Sequence, residues 1–134
     1  GIVLRCLALR HPGLVTGKIV MLAPPNQGSE IIDWLEDSPL GRWSLGPGGM
    51  SLSTKTIREK IPGFSDQHDV SVIMGRNCSI PFFQSLFKGE NDGIVTVEGG
   101  KVAGMGKMEV VDGDHTFLMS EPVVREKVLN LLGA

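Results

Sequence analysis

The chain has 134 residues, 41% of them hydrophobic, and a formal net charge of −2. That length bounds it to one domain, and the apolar share excludes a disordered chain. The weak charge gives no footprint for DNA or RNA, and no apolar run is long enough for a membrane span, so neither partner is expected.

The segment Ile2 to Leu9 is apolar except for Arg5. A helix apolar on nearly all sides belongs inside a larger protein. Arg10-His11-Pro12-Gly13 ends it, because proline disfavours helix in the residue before it and glycine accepts a left-handed cap. Lys18 to Leu22 reads as a strand whose continuous apolar run suits burial on both faces of a parallel sheet. From Ser29 to Pro62 the character changes. Ser29 is placed to cap a short helix with Ile31, Ile32 and Leu35 on one side, and Pro39, Gly41, Gly46-Pro47-Gly48-Gly49 and Pro62 punctuate the rest. Both tryptophans, Trp34 and Trp43, lie here. Such an insertion between core strands makes a lid or substrate-binding cap, or else a helical hairpin that merely covers the sheet.

Val70 to Gly75 reads as the second strand, followed by a loop over Arg76 to Glu90, and Lys107 to Val111 as the third. Ser120 stands where it could cap the last helix, with Glu121 and Pro122 in the first turn and Val124, Val128 and Leu131 at helical spacing. The expected fold is α/β: a partial doubly wound sheet of about three parallel strands with flanking helices. It forms one unit over 1–134, with 29–62 as a helical, lid-like insertion.

The chemistry concentrates at two positions. Asp92 opens Asp92-Gly93-Ile94-Val95 in the loop region after the second strand, and His115 closes Val110-Val111-Asp112-Gly113-Asp114-His115 after the third. An imidazole there suits a proton-transferring base, and a carboxylate suits the group that holds its tautomer and stabilises its cation. Asn91-Asp92-Gly93 also fits a plain turn, and His115 fits an exposed turn histidine. Asp112 and Asp114 rival Asp92 as the orienting acid, although chain neighbours rarely present side chains to each other well. His11 and His68 are expected at the surface. Three histidines without ligand spacing, with Cys6 and Cys78 read as small buried thiols, point to no metal site and no cofactor. Gly99-Gly100 and Gly46-Pro47-Gly48-Gly49 lack the lysine and spacing of a phosphate loop.

An acid and then a histidine after successive strands is the chain order of an α/β-hydrolase triad, with serine upstream on a Gly-x-Ser-x-Gly elbow. No such pentapeptide occurs; Trp43-Ser44-Leu45-Gly46 comes nearest, with Arg42 where glycine is needed. The chain nevertheless resembles bacterial α/β-hydrolases of the lipase and esterase type along its whole length. Gly1-Ile2-Val3-Leu4-Arg5 resembles the helix start just after the elbow, with Gly1 as its last glycine. Val20-Met21-Leu22-Ala23-Pro24-Pro25-Asn26-Gln27-Gly28-Ser29-Glu30 resembles the following strand and the start of the lid. Asn91-Asp92-Gly93-Ile94-Val95-Thr96-Val97-Glu98 resembles the acid loop, and His115-Thr116-Phe117 the histidine loop.

The resemblance implies the C-terminal half of a serine hydrolase for carboxylic esters, with an acyl ester or lipid-like small molecule as substrate of the full protein. Asp92 would be the triad acid and His115 the base, and this chain alone would be inactive. The alternatives are a non-catalytic interaction domain and a module that binds an apolar ligand. A sheet edge bared at the first strand implies self-association or pairing with an N-terminal half. No leader is visible, and a cytoplasmic location is the expectation.

Overall fold

In the computed structural model of the chain, residues 1–79, 84 and 87–133 are described, Pro47 by its backbone alone. Part of the expected loop after the second strand therefore lies outside the described residues. Three parallel strands, β1 (Lys18–Leu22), β2 (Asp69–Gly75) and β3 (Lys107–Val111), form one open sheet in that order. Lys18 to Leu22 pair with Asp69 to Ile73, and Ser71 to Gly75 pair with Lys107 to Val111. Two strands match the sequence reading residue for residue, and β2 starts one residue earlier. The central strand is covered on both faces, so Val70, Val72, Ile73 and Met74 are fully buried. On β1, Ile19 and Met21 are buried while its ends are exposed.

Five α-helices flank the sheet among the described residues: α1 (Ile2–Arg10), α2 (Glu30–Glu36), α3 (Pro39–Met50), α4 (Thr54–Lys60) and α5 (Pro122–Leu132). None is long and apolar enough to cross a membrane. Helix α5 packs on β1, with Val124 buried and Val128 and Leu131 against the core. Its cap is Glu121 rather than Ser120, which lies in a 3-10 turn. The reason is local: Pro122 at the first helical position holds the residue before it in an extended conformation.

Helix α1 inverts its expected pattern. Arg5, its single interior charge, is buried, whereas Val3 is 82% exposed and Leu9 60%. Arg5 survives burial because its guanidinium donates to the carbonyls of Asn26 (2.7 Å), Pro62 (3.0 Å) and Ile61 (2.5 Å). It thereby ties α1 to both ends of the helical insertion. Within the insertion α2 packs on α3, which kinks at Gly46. Asp33 accepts from the amide and hydroxyl of Thr54 and anchors α2 to α4. Ser29 begins α2, but its side chain makes no capping bond. Gly28 has φ +95°, and a Cβ there would lie 2.3 Å from Thr54 Cα, so only glycine permits this approach.

Candidate active site

The loops that leave the carboxyl ends of β2 and β3 converge. Gly75, the last residue of β2, makes room for this: a Cβ on it would sit 2.3 Å from the Gly113 carbonyl and 3.0 Å from Asp92 Cβ. In the first loop the Asn91 side chain accepts from the Gly93 amide at 3.0 Å and forms a side-chain-closed turn. Asp92 is 1% exposed. Its Oδ1 accepts from the amides of Ile94 (3.0 Å) and Val95 (2.8 Å). Turn formation thus occupies one oxygen and leaves the other facing His115.

That second oxygen lies 2.9 Å from His115 Nδ1, and the His115 amide donates to the Asp92 carbonyl at 2.9 Å. A carboxylate at Nδ1 selects the tautomer with the proton there, which leaves Nε2 with its lone pair. The bond to Asp92 raises the His115 pKa above its ordinary value; partial burial opposes this, and the charges of Asp92 and Asp114 add to it. The two rival acids do not bond the ring. Asp112 takes Arg76 Nε at 2.6 Å, and Asp114 takes Ser79 Oγ at 2.6 Å and the Phe117 amide at 3.0 Å. Hydrogen bonds from those partners hold both carboxyls below the usual carboxylate range.

His115 lines a cleft of about 590 Å³, with Gly1 and Leu4 of the α1 end, Met21 of β1, Ile32 and Leu52 of the insertion, and Ile94 of the acid loop. Its wall mixes apolar side chains, Leu4, Met21, Ile32, Leu52 and Ile94 among them, with the polar side chains of Ser29 and His115. Among the described residues no serine or threonine hydroxyl bonds to His115, and no cluster of three metal-type side chains occurs. Two expectations are corrected. His68 is buried, not exposed, because Ser65 Oγ meets its Nδ1 at 3.0 Å and Phe64 packs against its ring. Cys6 and Cys78 are half-buried rather than buried. Sequence reasoning also missed the partners of Arg5 and Asp114. A lone charge in an apolar helix was a visible signal for the former; nothing local marked the latter.

No protein-family model and no curated protein matches the sequence. Two solved structures of Bacillus licheniformis lipase BlEst2 superpose on it. The mature form aligns with TM-score 0.75 and 18% identity over 96% of this chain and 60% of that one. The propeptide form aligns with TM-score 0.76 and 16% identity over 96% of this chain and 33% of that one. The chain thus spans less than two thirds of either lipase structure. Likeness at this identity is likeness of fold. The parallel sheet, the helices around it and this superposition together give the chain a partial α/β-hydrolase fold of the kind a bacterial lipase carries.

Proposed function

We propose that residues 1–134 are the acid- and base-bearing part of a serine hydrolase acting on carboxylic esters. Asp92 is the triad acid and His115 the base, and the serine stands on an elbow outside this sequence, leading into α1. The observation that supports this most is the 2.9 Å contact between Asp92 Oδ2 and His115 Nδ1 at the carboxyl ends of parallel strands. Nε2 takes the serine proton as the oxygen attacks the ester carbonyl, then returns it to the leaving alcohol. Water repeats the cycle on the acyl-enzyme. Asp92 stays ionised and stabilises the imidazolium. The apolar side chains of the cleft wall suit an acyl chain, which agrees with the name lipase carried by the structural neighbours. Residues 29–62 act as its lid or cap, since Ile32 and Leu52 reach the cleft wall. The reading keeps a cytoplasmic location.

Alone, the chain is expected to be inactive. Joined to an upstream half with a Gly-x-Ser-x-Gly elbow, it should hydrolyse a short acyl ester, and His115→Ala should abolish this. Full activity in that variant would refute the assignment.

Association is part of the proposal. Val3, Leu9 and Leu14 are exposed, and β1 pairs on one side only among the described residues. Such an edge favours self-association or pairing with the N-terminal half. The same surface supports a second reading, an interaction domain without chemistry. That reading expects no hydrolysis even when the upstream half is supplied.

A further inference from the structure

Besides the bonds of Asp92 to His115, residues 76–79 at the start of the loop after β2 grip the end of β3 and the loop after it at four points. The Arg76 amide donates to the Val111 carbonyl at 3.1 Å and the Asn77 amide to that of Gly113 at 3.2 Å, so the β2–β3 ladder runs on past the sheet. Arg76 Nε meets Asp112 Oδ1, and Ser79 Oγ meets Asp114 Oδ2, both at 2.6 Å. Asp114 Oδ1 accepts from the Phe117 amide, so both oxygens of this carboxylate are held. Ser79, Asp92, Asp114 and His115 border one small cavity of about 40 Å³. The triad chemistry uses neither Ser79 nor Asp114.

We infer that Asp114, anchored by Ser79, is a positioning residue for His115: it fixes the turn that carries the imidazole and sets a second negative charge beside it. This rests on the proposed role of His115. Hydrogen bonds on both oxygens restrain this carboxylate beside the residue that carries the ring. Among the described residues, the charged groups that act on His115 are Asp92 from the acid loop and Asp114 from its own turn. The charge of Asp112 is matched by Arg76, which Glu90 also approaches at 4.0 Å. Asp114 stays ionised wherever His115 titrates, because its bonds to Ser79 and the Phe117 amide keep its own pKa low.

The test is an NMR titration of His115 in this chain, its resonance assigned by loss in His115→Gln. Asp114→Asn, which is nearly isosteric and keeps one acceptor for the Phe117 amide while offering an N–H to the Ser79 hydroxyl, should lower the His115 midpoint by about half a pH unit at low salt, as expected for one nearby charge in a partly solvated setting. High salt should shrink that difference. Ser79→Ala should lower the midpoint by less, and Ser79→Thr should restore it. A purely structural role for Asp114 would change stability and leave the midpoint alone. If Asp114→Asn and Ser79→Ala both leave the midpoint in place while Asp92→Asn lowers it, the inference is wrong and the dyad stands. If Asp92→Asn fails to lower it, the proposed triad role itself falls.

Discussion

The strand-end rim and the α1–β1 face treat their polar and apolar groups in opposite ways. On the rim, Asp92 is buried and both its oxygens are occupied, by two amides and an imidazole, all from this chain. Across α1, a cation is buried among carbonyls while Val3 and Leu9 stand in solvent, and β1 pairs on one side only among the described residues. The bonds of Asp92 on the rim are all made within these residues. The exposed side of α1 is the surface that the proposed association would cover. The acid and base are thus held from within, while the cleft they border reaches across to α1 and β1.

Breaking the rim should have the largest effect. Asp92→Ala orphans the Ile94 and Val95 amides and the His115 ring N–H, and should cost about 3 kcal/mol in urea unfolding. A loss below about 1 kcal/mol would mean that the rim is not held from within. Arg5→Met tests the other region. It leaves the carbonyls of Asn26, Ile61 and Pro62 without their donor and should cost about 2 kcal/mol in the same assay.

A smaller effect follows from pH. The folded-state pKa of His115 is raised above its ordinary value of 6.5. Its contribution to stability is therefore full below that ordinary value and lost as pH rises through the higher folded value. Urea midpoints should fall across this window in the wild type and stay flat for this term in His115→Gln. The smallest change in folding is expected at the open face. Val3→Lys with Leu9→Lys should alter unfolding by no more than about 0.5 kcal/mol at each site, yet reduce association measured by light scattering. Unchanged mass with concentration in both proteins would remove association from the account of that face.

The central strand fits its apolar run, broken only by Ser71, because a strand covered on both faces needs one, whereas β1 and β3 at the sides of the sheet are only partly buried. Asp92 and His115 were legible as a pair from their order along the chain. The turn reading of Asn91-Asp92-Gly93 and the carboxylate reading of Asp92 looked like rivals, but a carboxylate has two oxygens and each takes one role. His68 was misplaced because its polar neighbours suggested solvent, whereas Ser65 and Phe64 enclose it. Arg5 was read as an exception in an apolar helix, and its partners lie 21, 56 and 57 residues away.

Consecutive residues determined the elements: apolar runs, breakers and chain order act within a few positions, so they can be read without knowing the fold. Tertiary structure alone decided which side of α1 is covered, which oxygen of Asp92 meets the imidazole, and that Ser79 holds Asp114. Those outcomes depend on segments 21 to 57 residues apart meeting at hydrogen-bond distance, and that meeting is set by strand register and close backbone approach, not by local pattern.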